Sequence, residues 1–367
     1  MLKKLVFTLS LMTYPLLNGS GKVYAEQLQL IDDAPKTYTV VKGDTLWDIS
    51  AVFLEQPWLW PKLWRVNPEV SNPHLIYPGD ILRLIFDENG EPVIVVEKSK
   101  PSYRLSPEKR KVVDDSAIGT IPLEVIAPYL TYANLLTEAD LSELPRVLGS
   151  DEGYRSSVTG FKVYVDKNLE LASTFAMYDK GEELFDPETE ESIGFYMTLT
   201  GTAQVVNSGD MYNKVPATMK VNTVKQEIHS GNYVLPVNKN QQLSSVFDMK
   251  AVDESIKGRI IKAISDNREF GKFEVIMINK GAKDNVATGN VFGIKRKSPG
   301  VLDGKDGPTY KVDASRWERI MGEGDYNMPE EPIGEVMVFK VYQQASMAII
   351  LNTQKPARLQ DILTAPE

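Results

Sequence analysis

The sequence contains no cysteine, and it has only two histidines among its 367 residues. Without cysteine the chain has no disulfides, no thiol nucleophile and no thiol that could carry a lipid anchor behind a signal peptide. The two histidines, His74 and His229, give poor support to a multi-histidine metal site or a charge-relay triad. We therefore expect no cofactor, no metal centre and no cysteine-dependent or zinc-dependent hydrolase chemistry.

Acidic residues outnumber basic residues in this chain. There are 41 lysines and arginines against 50 aspartates and glutamates, which gives a formal net charge of −9 at pH 7. Nucleic-acid binding depends on neutralising phosphates with lysine and arginine. Nucleic acid is therefore not an expected partner.

Long apolar runs are also missing. The first 25 residues hold Lys3 and Lys4, an apolar run over residues 5–17, and Ala25 at the end of a short polar stretch. This order is typical of a cleaved secretory signal, and the run is too short to cross a bilayer comfortably. We expect a signal peptide at residues 1–25, cleavage after Ala25 and no transmembrane segment in the mature chain.

Residues 37–86 carry the most specific pattern. A β-rich run over residues 37–41 breaks at Gly43, and Asp44 or Thr45 can then cap a helix because each side chain carries a hydrogen-bond acceptor. Thr45 with Asp48 fits a capping box. The apolar residues Leu46, Ile49 and Phe53 follow at helical spacing, so a strand, a turn and an amphipathic helix are predicted.

A second helix and a second strand follow. The helix is predicted to start near Trp60, with Pro61 at its first position, where a missing N–H is tolerated. Residues 77–80, "YPGD", fit a type II turn with proline and glycine at its two central positions. The run "ILRLIF" at residues 81–86 supplies the strand. The predicted order is β-α-α-β in about fifty residues.

Four of the five tryptophans fall in this segment. Trp60 and Trp64 lie four residues apart on one helix face, and a domain of this size needs large side chains to bury enough surface. We therefore predict that Trp47, Trp60 and Trp64 belong to the core. Trp58, between a proline and the helix start, is predicted to be partly exposed.

The blocks "YTVVKGDTLWDIS" and "LWRVNP…IYPGDILRL" resemble a LysM (lysin motif) domain in order and spacing, over residues 37–86. The segment is also similar to LysM modules at the N-terminus of exported Gram-negative envelope proteins. The resemblance implies a periplasmic location and binding of N-acetylglucosamine-containing glycans, chiefly peptidoglycan, in a shallow groove between two loops. The glycan-binding residues that it implies are Gly43, Asp44, Thr45, Leu46, Asn67, Pro68, Leu75, Ile76 and Tyr77.

The rest of the chain divides by composition. Residues 87–117 are rich in charge and proline and are predicted to be a linker that can add one strand at residues 93–96. Residues 118–156 are predicted to form a short helical segment with two helices, broken at Pro122, Pro128 and Pro145.

Two β-rich stretches share an order of landmarks. We pair "FKVYV" with "FEVIMI", Ile193-Gly194 with Ile333-Gly334, and Asn222-Thr223 with Asn352-Thr353. This predicts β-rich repeat 1 at residues 157–240 and β-rich repeat 2 at residues 258–365, each a small barrel or sandwich, joined by a helical connector at residues 241–257. The glycine-rich segment at residues 279–294 resembles the turns of small barrel domains in envelope and flagellar accessory proteins. The expected fold class is α+β.

Two non-catalytic functions are open at this point. One is tethering of the β-rich domains to the cell wall through the LysM domain. The other is envelope assembly, in which the β-rich region binds a protein partner. A carboxylate-dependent glycan hydrolase or lyase is a third alternative, because Glu191-Ser192 superficially matches a transglycosylase pair. Glu191 lies in an acidic run suited to an exposed loop, so we expect no enzyme.

Overall fold

The computed structural model describes residues 28–64, 76–97, 123–151, 159–237, 247–265, 267–304, 307–313, 323–326 and 328–366. The predicted signal peptide, most of the linker and the predicted site residues Asn67, Pro68 and Leu75 lie outside the described residues, as does His74.

The first domain has the predicted β-α-α-β order and gains a third strand. Its elements are β1 (Thr37–Thr39), α1 (Leu46–Phe53), a 3-10 turn (Pro57–Leu59), α2 (Trp60–Leu63), β2 (Ile81–Phe86) and β3 (Pro92–Glu97). The three strands form one antiparallel sheet in the order β1-β2-β3. The strand that the linker was predicted to add at residues 93–96 is present as β3, whose Val93 and Ile94 are buried.

All four tryptophans of this domain are buried. The prediction is confirmed for Trp47, Trp60 and Trp64 and wrong for Trp58, which is only 2% exposed. Trp58 borders a cleft whose other wall holds Met249 and Ala251, nearly two hundred residues away along the chain. The residues that cover Trp58 are distant in the sequence, so the local sequence pattern does not reveal that Trp58 is buried.

The segment after the linker is only partly helical. It contains α3 (Leu123–Tyr132), strand β4 (Asn134–Leu136), α4 (Glu138–Glu143) and strand β5 (Val147–Ser150). The two predicted helices are present, but β4 and β5 correct the wholly helical interpretation of residues 118–156. The predicted break at Pro128 is also absent, because α3 continues through this proline.

The first β-rich region is a closed six-stranded barrel. Its strands are β5, β6 (Lys162–Val165), β7 (Thr174–Phe185), β8 (Ser192–Asn207), β9 (Ala217–Val224) and β10 (Tyr233–Pro236), in the order β10-β7-β8-β9-β6-β5. Hydrogen bonds from the Val147 amide to the Asn232 carbonyl and from the Val234 amide to the Pro145 carbonyl, both 2.8 Å, join the two outer strands.

The second β-rich region closes in the same way. After the two-residue strand β11 (Lys250–Ala251), its strands are β12 (Gly258–Ala263), β13 (Val275–Ile278), β14 (Asn290–Lys297), β18 (Glu330–Val341), β19 (Ser346–Thr353) and β20 (Ile362–Thr364). Strand β20 pairs with both β12 and β14, which closes the barrel. Between β14 and β18 lies a small sheet of β15 (Val301–Gly304), β16 (Gly307–Tyr310) and β17 (Glu323–Asp325).

Strand pairing gives the register of the internal repeat. In the first barrel Gly201 pairs with Val224, and in the second barrel Gly334 pairs with Thr353. In both barrels a Cβ added to this glycine would lie within 2.4 Å of a carbonyl oxygen of the neighbouring strand. Gly334 thus corresponds to Gly201 and not to Gly194. The other two landmark pairs, "FKVYV" with "FEVIMI" and Asn222-Thr223 with Asn352-Thr353, are each shifted by one residue from the pairing in the structure. A shift of one residue moves each side chain of a strand to the opposite face of the sheet, so the residues paired from the sequence do not occupy equivalent positions in the two barrels.

The predicted helical connector at residues 241–257 has no helix in its described part, residues 247–257. Lys250–Ala251 instead forms β11, which pairs in parallel with β14. The α+β assignment therefore holds only in coarse form: a small domain with helices is followed by a strongly β-rich region with few helices.

Candidate glycan-binding groove

The loop between β1 and α1 is held by one carboxylate. The Asp44 side chain accepts hydrogen bonds from the Val41 amide at 2.7 Å and from the Tyr38 hydroxyl at 3.0 Å. Burial, followed by this hydrogen bond, raises the pKa of Tyr38 to about 12, so its hydroxyl stays protonated and can donate at neutral pH. Gly43 has a φ of +99°, a left-handed conformation that favours glycine.

Helix α1 begins at the predicted cap. The Thr45 side chain accepts from the Asp48 amide at 3.1 Å and donates to the Asp48 carboxylate at 2.9 Å. Thr45 thus satisfies one of the free N–H groups of the first helical turn. This cap fixes where the loop ends and the helix starts.

The turn before β2 forms the second wall. The Asp80 amide donates to the Tyr77 carbonyl at 3.0 Å, and Gly79 has a φ of +97°, as the predicted type II turn requires. The buried Asp80 side chain accepts from the Tyr77 amide at 3.0 Å. Sequence reasoning used Asp80 only as a turn residue and missed this second role.

Two backbone hydrogen bonds tie the loops together. The Gly79 amide donates to the Val40 carbonyl at 2.8 Å, and the Val40 amide donates to the Asp80 carbonyl at 2.9 Å. The loop carrying Gly43 and the turn carrying Tyr77 therefore lie side by side. We call the surface formed by residues 41–44 and 77–79 the groove.

The groove presents backbone and two apolar side chains to solvent. Val41 is 58% exposed and Tyr77 is 37% exposed, with Gly43 exposed between charged neighbours. Val41 was not among the predicted site residues, although its place directly before the break at Lys42-Gly43 was a usable signal. An aromatic ring, an aliphatic side chain and accessible backbone groups suit an uncharged, acetamido-bearing sugar.

Three predicted site residues lie beneath this surface. Thr45, Leu46 and Ile76 are buried, and the side chains of Leu46 and Ile76 are 2% and 0% exposed. They support the groove from the core and offer little side-chain surface of their own. Of the predicted residues, the structure brings together Gly43, Asp44, Thr45, Leu46, Ile76 and Tyr77.

Two of the residues considered for other chemistry, Glu191 and His229, lie in the first barrel. Glu191 is exposed in the turn between β7 and β8, and its amide donates to the Thr189 hydroxyl at 3.4 Å. His229 approaches Asp179 at 3.5 Å between nitrogen and carboxylate oxygen. Within the described residues, no cluster of three or more histidine, cysteine, aspartate or glutamate side chains could hold a metal ion. No helix of the described part is long and apolar enough to cross a membrane.

Comparison with known proteins gives two matches. Residues 38–84 match the family model "LysM domain". The protein named "Uncharacterized protein YqbP" of Bacillus subtilis (strain 168) is 43% identical over 61 residues, which cover 14% of this chain and 28% of that protein. The chain thus spans less than a third of the length of this curated relative. The matched residues contain both loops of the groove, and we conclude that residues 38–84 of this chain are a LysM domain.

Proposed function

We propose that this protein binds peptidoglycan through the groove of its LysM domain and is not an enzyme. The observation that carries the proposal is the pair of hydrogen bonds that hold the Gly43 loop and the Tyr77 turn side by side, with Val41 and Tyr77 exposed. LysM domains bind glycans of the peptidoglycan and chitin type, and the described part of the groove supports this role here.

Tethering is the second part of the proposal. The LysM domain packs on the second barrel: Phe53 and Trp58 belong to the same hydrophobic cluster as Met337 and Phe339 of β18. An ion pair of 2.6 Å joins Asp48 of α1 to Lys272. A glycan held in the groove would therefore hold the barrels at the cell wall. The signal-like pattern of residues 1–25 supports a periplasmic location for this tether.

An assembly role is the alternative, and one surface favours it. The first barrel exposes an apolar patch at the loops around the β8 to β9 connection, consisting of Leu171, Val206, Met211, Tyr212 and Val215. These loops are held together by the bond from the Met211 amide to the Asn168 side chain, 2.9 Å, and from the Leu169 amide to the Ser208 carbonyl, 3.0 Å. Contiguous exposed apolar side chains are typical of protein interaction sites.

Co-sedimentation of the full chain with purified peptidoglycan tests the proposal. We expect the protein to pellet with the polymer and to be released by soluble oligomers of N-acetylglucosamine. A dye-release measurement on the same material should show no solubilisation. Pelleting that the oligomers do not compete would point away from the groove, and dye release abolished by Glu191→Gln would contradict the non-enzymatic role.

A further inference from the structure

One outer face of the second barrel is covered by other parts of the chain. Strands β13, β19 and β18 present five apolar residues on this face, and all five are buried in the hydrophobic cluster that contains Phe53 of the LysM domain and Ile126 of α3. The five residues are Val275, Met277, Met337, Met347 and Ile349. The LysM domain and α3 therefore pack on the second barrel at this face.

Strand register identifies the same face of the first barrel, on β6, β9 and β8. Gly201 corresponds to Gly334, and the pairing of neighbouring strands then gives the other equivalent positions. In the order used for the second barrel, the counterparts are Lys162, Tyr164, Gln204, Thr218 and Lys220, which we call the lysine face. Both lysines and Gln204 are exposed, and the other two residues are partly exposed. The first barrel thus has a polar, accessible surface where the second barrel has a buried apolar one.

Two lysines lie directly opposite each other on the lysine face. Lys162 pairs with Lys220, and their neighbours Val163 and Met219 are buried in the barrel interior, so both lysine side chains point outward. Residues directly opposite each other have Cβ atoms about 4.5–5.5 Å apart, and like charges in such pairs are destabilising. Within the described residues, neither ammonium group forms a hydrogen bond or an ion pair. A negatively charged group bound here would relieve the repulsion.

One acidic residue adjoins the lysine face. Asp151 follows β5, and its carboxylate accepts a hydrogen bond from the Lys162 amide at 3.3 Å. Gln204 and Thr218, which flank Lys220 on the other side, are uncharged. The lysine face with Asp151 therefore has two positive charges and one negative charge. This excess of positive charge is local, because the chain as a whole has a net charge of −9.

The lysine face continues into the exposed apolar patch of the first barrel. Val206 follows the buried Val205 on β8 and is 46% exposed, so it lies on the outer side of the strand, as Gln204 does. Val206 also belongs to the apolar patch that contains Tyr212. Apolar groups beside charged groups are typical of protein interfaces, in which positive and negative patches of the two partners match. A small anion would use the charges alone.

We propose that the lysine face docks a protein partner that presents carboxylates. The partner places aspartate or glutamate side chains over Lys162 and Lys220 and an apolar side chain beside Val206. It occupies the position on the first barrel that the LysM domain and α3 occupy on the second. This surface is separate from the LysM groove and does not depend on glycan binding.

Fluorescence anisotropy of a labelled hexaglutamate peptide tests this surface in the full chain at low ionic strength. Hexaglutamine is the matched peptide, because it has the same length and no charge. We expect saturable binding of hexaglutamate only. Lys162→Gln combined with Lys220→Gln should weaken this binding at least about fivefold, because an exposed ion pair contributes up to about fivefold in affinity and two are lost.

A second double variant controls for overall charge. Lys36→Gln combined with Lys257→Gln removes two exposed lysines that lie outside the lysine face, and it should change the affinity for hexaglutamate by less than about twofold. Amide NMR shifts of Lys162, Gln204 and Lys220 on addition of hexaglutamate give a second readout in the unaltered chain, which does not depend on how the variants fold.

Two results would overturn the proposal. One is equal weakening in the two double variants, with no shift of these amides. The other is absence of saturable hexaglutamate binding; if vesicles of phosphatidylglycerol were instead bound through Lys162 and Lys220, the face would be a lipid-binding surface. Because the LysM groove is unaltered in Lys162→Gln and Lys220→Gln, their binding to peptidoglycan provides a separate readout of the proposed function.

Discussion

At the scale of single residues, the groove depends on backbone conformations that favour glycine. Gly79 has a φ of +97°, and no atom lies within 4 Å of the position that a Cβ would take. An alanine there would have a strained backbone conformation but no steric clash. We predict that Gly79→Ala lowers the free energy of unfolding by about 1 kcal/mol. Gly149→Ala is the matched control, since Gly149 also has open space but no positive φ. Urea unfolding measures both; an equal effect of the two substitutions would show that φ is not the cause.

Glu335 makes the stability of the protein depend on pH. Its carboxyl pKa is raised in the folded state by burial, so its favourable contribution is complete below the unfolded pKa, about 4.3, and is lost as the pH rises through the folded value. We predict that Glu335→Gln becomes more stable than the unaltered protein as the pH increases from about 4 to 7. Thermal unfolding over this range measures the difference, and a difference independent of pH would contradict the raised pKa.

Residue roles were predictable where their cause is local. The Thr45 cap and the turn at Gly79 depend on a few adjacent residues, and both were found from the sequence. The burial of Trp58 was not predicted, because it depends on residues that are distant in the chain, Met249 and Ala251.

At the scale of elements, the turn of the long β7 to β8 hairpin joins the two barrels. The Asn279 side chain donates to both oxygens of Asp186 at 3.2 Å and accepts from the Arg259 amide at 2.6 Å. Asp186 and Asn279 are both buried, and hydrogen bonds from Asn279 and the Glu188 amide help to keep the pKa of Asp186 low despite its burial.

We predict that the Asp186 and Asn279 side chains are energetically coupled. In a double-mutant cycle of Asp186→Ala and Asn279→Ala, the coupling free energy should be about 1 to 3 kcal/mol. A parallel cycle of Arg146→Ala and Asp166→Ala, whose side chains form an exposed contact at 3.4 Å within the first barrel, should give less than about 1 kcal/mol. Additive effects of Asp186→Ala and Asn279→Ala would show that the hairpin does not dock in solution.

The elements themselves were predictable to a useful degree. Short patterns identified α1 and α2 and, in the barrels, stretches that contain β6, β8, β13 and β18. Strands β5, β7, β12 and β14 were not predicted from the sequence. The repeat was recognised but misaligned, because the landmark letters do not show which residues of neighbouring strands pair. Residues 247–257 were mistaken for a helix because pairing with β14, a tertiary interaction, determines their conformation.

At the scale of the whole molecule, the LysM domain and the second barrel share one hydrophobic cluster. We predict that the two domains unfold in a single calorimetric transition. Trp58→Ala should lower the free energy of unfolding by about 3 to 5 kcal/mol. Lys272→Ala removes the half-exposed ion pair with Asp48 and the contact of the ammonium with the Phe273 ring, and it should lower the free energy of unfolding by only about 1 kcal/mol. Separate transitions for the two domains would contradict the shared core.

The sequence did not predict that the LysM domain packs on the second barrel, because it indicated a linker after the LysM domain. This packing also affects how binding should be measured. A fragment ending at residue 90 would lose β3 and would expose Trp58, so the full chain is the appropriate material.

The most direct measurement of the central claim compares two exposed tyrosines in peptidoglycan binding by the full chain. Tyr77 lies in the groove, whereas Tyr212 is 95% exposed in the apolar patch of the first barrel. We predict that Tyr77→Ala weakens co-sedimentation with purified peptidoglycan at least tenfold, because the glycan loses the exposed ring of its site, and that Tyr212→Ala binds as the unaltered chain does. Full binding by Tyr77→Ala together with loss in Tyr212→Ala would place the binding site on the barrel and contradict the account.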